Sequence, residues 1–191
     1  SAVLTTGAFT HTAGTLITNG TGTGNTQAYT QNGGNIILNG GDLTCTTFTS
    51  NNSTTRTIQL GSSNINVTST GTVVNMTTTT GLTANGTGNI NITNNGSTAI
   101  TVTPGALAEA NTINYNFTAG TYGLTITAGS IKGLNFTGYA GTVTNTALTV
   151  YGNITISTGT TLSAGTNTLT LASTGNQSIT SNGKTFDFPV T

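Results

Sequence analysis

Charge is nearly missing from this sequence. Three Lys and Arg, three Asp and Glu and one His stand among 191 residues, where an ordinary soluble domain is about one quarter charged. Each shortage excludes a class of function. Arg56, Lys132 and Lys184 lie far apart, so the chain lacks the clustered cations of a nucleic-acid groove. The acids Asp42, Glu109 and Asp187 are widely separated along the chain, too far for the paired carboxylates of a glycosidase. His11 is alone, which leaves a Ser-His-Asp set or a zinc site short of parts. The composition reads as non-enzymatic, with no catalytic residues, no cofactor, no metal and no nucleic-acid partner.

Cysteine occurs once, at Cys45, so no intrachain disulfide forms and the residue reads as a small buried side chain. No apolar run approaches the ~20 residues of a membrane span, which predicts no membrane insertion. No signal peptide is present and the chain starts at Ser1, which predicts a processed chain or a piece of something longer. The apolar segment from Phe186 to Thr191 has no polar cap after it, which predicts a subunit junction or a fragment end.

Thr, Asn and 27 Gly fill the space that charge leaves. A third of the chain is hydrophobic, and many of these residues are β-branched, which favours an ordered β protein over disorder. Apolar residues alternate with Thr or Asn, as in Ile65-Asn66-Val67-Thr68, Ile100-Thr101-Val102-Thr103 and Leu124-Thr125-Ile126-Thr127. A period of two places the apolar set on one face of a strand. Asn-Gly and Ala-Gly pairs such as Asn39-Gly40, Asn85-Gly86 and Ala119-Gly120 supply corners. The segment from Pro104 to Ala110 is the one helix-like stretch and reads as a one-turn insertion or a bent loop.

An Asn-Ile motif recurs at Asn35-Ile36, Asn64-Ile65, Asn89-Ile90 and Asn153-Ile154, with degenerate copies around Tyr115, Leu134 and Ile179. Spacings in the twenties predict a parallel β-solenoid of about seven irregular coils of roughly 20–30 residues, forming a single domain over residues 1–191. A β-sandwich is the alternative, and it predicts turns every 8–12 residues without a longer repeat.

In a solenoid equivalent positions stack, so Asn35, Asn64, Asn89 and Asn153 are expected to form an amide ladder along the axis. Asn-x-Ser/Thr sequons at Asn66, Asn91, Asn116 and Asn153 carry little weight in a chain this rich in Asn and Thr. Thr-x-Thr triplets recur, among them Thr10-His11-Thr12, Thr44-Cys45-Thr46, Thr101-Val102-Thr103 and Thr125-Ile126-Thr127. Aligned Thr pairs on a solenoid face order water and bind ice, but these triplets follow no fixed phase in the sequence. Phe117 and Phe136 read as core. Tyr122 and Tyr139 follow glycine-bearing turns and read as staples of a corner; they are also the candidate contacts for a ligand or a neighbouring subunit.

The stretches Thr54–Gly61, Leu134–Thr142, Tyr151–Gly159 and Ile179–Thr191 resemble repetitive, uncharacterised β-rich proteins of aquatic bacteriophages and environmental bacteria, of the tail-fibre-like or surface type. The resemblance runs from about residue 42 to the end and supplies no active site. It implies an extracellular, cell-surface or virion location. The function expected is a shaft, fibre or filament segment that self-associates, as an end-to-end polymer or a homotrimer. The alternative is an adhesin that binds a cell-surface glycan, and an ice-binding solenoid stands behind both.

Overall fold

The computed structural model describes residues 4–20, 24–163 and 165–191. The chain winds as a parallel β-solenoid of about eight turns, each contributing a short segment to three faces. Every strand-to-strand ladder is parallel and joins one turn to the next, which excludes the sandwich. At about 4.8 Å per turn the stack is on the order of 40 Å long.

The first face carries Leu4–Thr6, the leading halves of Gly24–Gln31 and Leu43–Thr49, then Ile65–Thr68, Asn89–Thr93, Asn114–Ala119, Leu134–Asn135, Ile154–Thr155 and Ile179–Thr180. The second carries Phe9–His11, the trailing halves of the same two long strands, then Gly71–Asn75, Ile100–Thr103, Leu124–Ile126, Thr142–Asn145 and Thr161–Leu162. The third carries Thr15–Asn19, Gly34–Asn39, Arg56–Gln59, Leu82–Asn85, Gly129–Ile131, Leu148–Val150 and Thr170–Leu171. Between Leu82–Asn85 and Gly129–Ile131 the third face is crossed by an extended passage with one 3-10 turn, Glu109–Asn111. The helix-like segment therefore lies within a turn, in place of a strand.

Register on the first face sets the turns. The backbone positions of Leu4, Gly24, Leu43, Ile65, Ile90, Tyr115, Leu134, Ile154 and Ile179 follow one another in a single column. One turn therefore consumes roughly 20–25 residues, and successive turns are unequal. The count exceeds the seven expected because the opening turns enter this column with Gly24 and Leu43 and lack the Asn-Ile signature there.

The core is a set of stacked apolar columns. Ile65, Ile90, Leu134 and Ile154 fill one, each no more than 6% exposed. Burial of each such side chain contributes about 1.5–3 kcal/mol. Aromatic rings stack across turns in two places. Phe9, Tyr29 and Phe48 have centroids 5.5 and 5.8 Å apart, and Phe117 and Phe136 are 5.0 Å apart. Phe117 and Phe136 are buried, as their strand phase predicts. At Gly105 the backbone takes φ +72°, and an added Cβ would stand 2.1 Å from the Met76 carbonyl oxygen, so only glycine fits that corner.

Phe186 and Phe188 fold against the last turn and pack on the core. They do not close it. Ile179 and Val190, which continue the columns of Ile154 and Leu169, are 39% and 41% exposed.

Candidate functional site

Outward positions on the first face form two amide columns. In one, the Asn64 backbone N–H donates to Asp42 Oδ1 at 2.8 Å, and Asn89 donates through Nδ2 to Asn64 Oδ1 at 3.2 Å. In the other, Asn66 Nδ2 donates to Asp42 Oδ2 at 3.1 Å, Asn91 Nδ2 to Asn66 Oδ1 at 2.9 Å, and Asn116 Nδ2 to Asn91 Oδ1 at 3.1 Å. Thr137 closes that column by donating its hydroxyl to Asn116 Oδ1 at 2.7 Å. Both carboxylate oxygens of Asp42 therefore serve as terminal acceptors.

Of the four ladder positions named from sequence, Asn64 and Asn89 meet. Asn153 shares their face but bonds to the Ser178 backbone N–H. Asn35 lies on the third face, beside Thr15 and Thr57, and is not part of this column. The motif occurs on two faces because on each it opens a strand, with Asn ahead of a buried Ile. The column of Asn66, Asn91 and Asn116 is the one sequence reading missed, although the constant step between its members was the signal. These three are also sequon asparagines, and their amides are occupied along the axis.

The second face differs. Thr72, Thr101, Thr125 and Thr144 stand in register across four successive turns. A parallel column runs Thr10, Thr30, Thr49, Asn75 and Thr103. Thr127 and Thr146 extend it, through backbone bonds to the Val102 and Ile126 carbonyls. The residues between the columns, among them Phe48, Val102 and Ile126, are buried, so the threonines point outward. One extra residue, Val73, interrupts the row of Thr72 and Asn75. The triplets at Thr101 and Thr125 stand in register on this face, whereas Thr10-His11-Thr12 is offset, with Thr10 in the column of Thr103. Thr44-Cys45-Thr46 lies on the first face and has no place in this array.

A groove of about 410 Å³ opens where the first amide column is broken. Gly133 occupies the position between Asn114 and Asn153, and the walls include Lys132, Asn135 and Thr155. Asn135 Oδ1 is a buried oxygen without a hydrogen-bond partner.

The two tyrosines separate. Tyr122 is 44% exposed. Tyr139 is fully buried, lies 6.1 Å from the Phe117 ring and donates its hydroxyl to the Tyr122 carbonyl. Burial pushes the Tyr139 phenol up to about 12. No ligand reaches Tyr139 in this fold. Tyr139 follows a bend, as the sequence predicts, but its ring turns inward into space that Gly120 clears, an added Cβ there meeting the ring at 2.6 Å.

Other chemically active groups are held in structural roles. The His11 imidazole contacts the Tyr29 hydroxyl at 2.9 Å. Cys45 is buried, and desolvation pushes its thiol up to about 12. Glu109 accepts from the Ser173 hydroxyl at 3.1 Å. Arg56 is fully buried, and burial lowers its pKa. It donates to the Ser50 hydroxyl at 2.7 Å and to the carbonyls of Ser50, Thr54 and Thr80 at 2.9, 3.2 and 3.0 Å, and also to those of Asn52 and Thr78. Among the described residues no three His, Cys, Asp or Glu side chains converge, and no helix is long and apolar enough to cross a membrane. Comparison with protein-family models, curated proteins and solved structures gives no match to this chain.

Proposed function

We propose that this chain is a non-enzymatic structural protein, a shaft or filament segment on a virion or cell surface that spaces or presents other modules. The observation that carries this reading is the exposure of core columns at the last turn. Of four large exposed hydrophobics among the described residues, Ile179 and Val190 lie on the final turn and continue core columns, whereas Ile17 points outward in the column of Ile37 and Gln59. The exposed Ile179 and Val190 form a surface that a further parallel turn would cover, and a second copy stacked head to tail supplies one. Light scattering after size exclusion, with negative-stain microscopy of the same fractions, tests it. Polymers that grow with concentration support stacking, and a discrete trimer supports a fibre in which chains wrap side by side. A monomer at all concentrations overturns self-association. Ile179→Lys with Val190→Lys is expected to stop end-to-end growth without unfolding the stack.

The groove beside Gly133 favours a second reading, a glycan-binding module. Its volume falls within the range of small-ligand sites, and Lys132 with the surrounding amides suits a hydroxylated, acidic sugar. A glycan array tests it. Binding that Gly133→Asn removes by filling the groove would favour this reading.

A further inference from the structure

We propose that the threonine array on the second face is an ice-binding surface. This stands apart from the shaft reading and rests on the lateral face, not the ends. Hydroxyls here repeat in two dimensions over three successive turns, as Thr101 with Thr103, Thr125 with Thr127 and Thr144 with Thr146. Neighbouring turns set one spacing of roughly 4.8 Å, and alternate residues along a strand set the other, at roughly 6.6 Å. These repeats lie close to those of water in the prism face of hexagonal ice.

The two outer faces use their polar groups differently. On the first, the amides satisfy one another along the axis. On the second, Thr127 and Thr146 donate their hydroxyls to the Val102 and Ile126 carbonyls, while the hydroxyls of Thr72, Thr101, Thr103, Thr125 and Thr144 make no bond to protein among the described residues. Their partners are therefore water molecules, whose positions inherit the periodicity of the sheet. The threonine methyl groups flank those waters with apolar surface and limit how they orient. No charged residue lies in the strands Gly71–Asn75, Ile100–Thr103, Leu124–Ile126 and Thr142–Asn145, so no ion imposes a competing hydration shell. Buried Val102 and Ile126 lock the array from beneath. A surface that already holds lattice-spaced water adsorbs to an ice crystal by merging that water with it.

The test is thermal hysteresis and ice shaping by the purified chain, together with adsorption of amine-labelled chain to a growing single crystal of ice. Concentration-dependent hysteresis and faceted crystals are expected. Thr144→Lys, at an exposed position, and Thr125→Tyr break the array. Each should lose most of the hysteresis with circular dichroism and melting temperature retained, while Thr83→Tyr, exposed on the third face, should keep it. Zero hysteresis with no adsorption overturns the proposal. So does full activity in both array variants, or adsorption to crystalline cellulose or chitin in place of ice.

Discussion

Replacing Arg56 with Met removes the cation that ties two turns together at the corner between the second and third faces. Its guanidinium reaches Ser50, Asn52 and Thr54 on one turn and Thr78 and Thr80 on the next. Hydrogen bonds to a charged group contribute about 1.5–3 kcal/mol each, against the cost of holding an ion out of water with no carboxylate beside it. In the Met variant the carbonyls of Thr54 and Thr80 lie on exposed residues and rehydrate, whereas the Ser50 hydroxyl and carbonyl stay dry. The expected loss is about 3 kcal/mol, toward the lower end of what breaking a buried ionic network costs. For a chain of this size that lowers the melting temperature by roughly 6–12 °C. Urea denaturation followed by circular dichroism reads it as a shift in midpoint at constant slope. Arg56→Lys keeps the charge but not the planar fork and should fall between the two. A Met variant within about 0.5 kcal/mol of the parent, or more stable than it, would refute the reasoning, because desolvation would then equal or outweigh the hydrogen bonds.

Three further outcomes follow from the same geometry. Asn91→Ala removes two ladder bonds, at 2.9 and 3.1 Å, and should destabilise by about 2 kcal/mol in urea melts; Asn91→Asp should restore only the bond from Asn116. Gly88→Ala places a Cβ 1.7 Å from the Ser63 carbonyl oxygen, so the corner must move, with a loss of about 1–3 kcal/mol or more and a lower melting temperature. Cys45 titrates near 9.0 when unfolded and about 12 when folded. Its contribution is complete below pH 9 and is lost as pH rises toward 12, at up to about 1.4 kcal/mol per pH unit; a Cys45→Ala chain should show a flatter alkaline limb. In the parent, a thiol reagent at pH 8 should react only as urea unfolds the chain.

Much of the architecture is legible in the sequence. Alternation of Ile, Val and Leu with Thr and Asn dictates strands, and the return of the motif and its degenerate copies at intervals of roughly 20–25 residues dictates stacked parallel turns. A period-two pattern that returns every turn can bury its apolar half only against its own neighbours. The degenerate copies at Tyr115, Leu134 and Ile179 fall in the same column as Ile90 and Ile154. What tertiary structure alone decided is which side chains meet. Asn35 carries the same motif as Asn64 yet lies on another face. Tyr139 follows a turn signal yet is buried under the space that Gly120 leaves. Arg56 belongs by composition to the solvated residues, yet it is enclosed by carbonyls from two turns. The threonine array was hidden for the same reason: turns of unequal length shift its members in sequence, and only backbone pairing across turns brings Thr72, Thr101, Thr125 and Thr144 into one line. Local chemistry sets what each residue can do on a strand, whereas register between distant strands, set by the lengths of the corners, determines its neighbours.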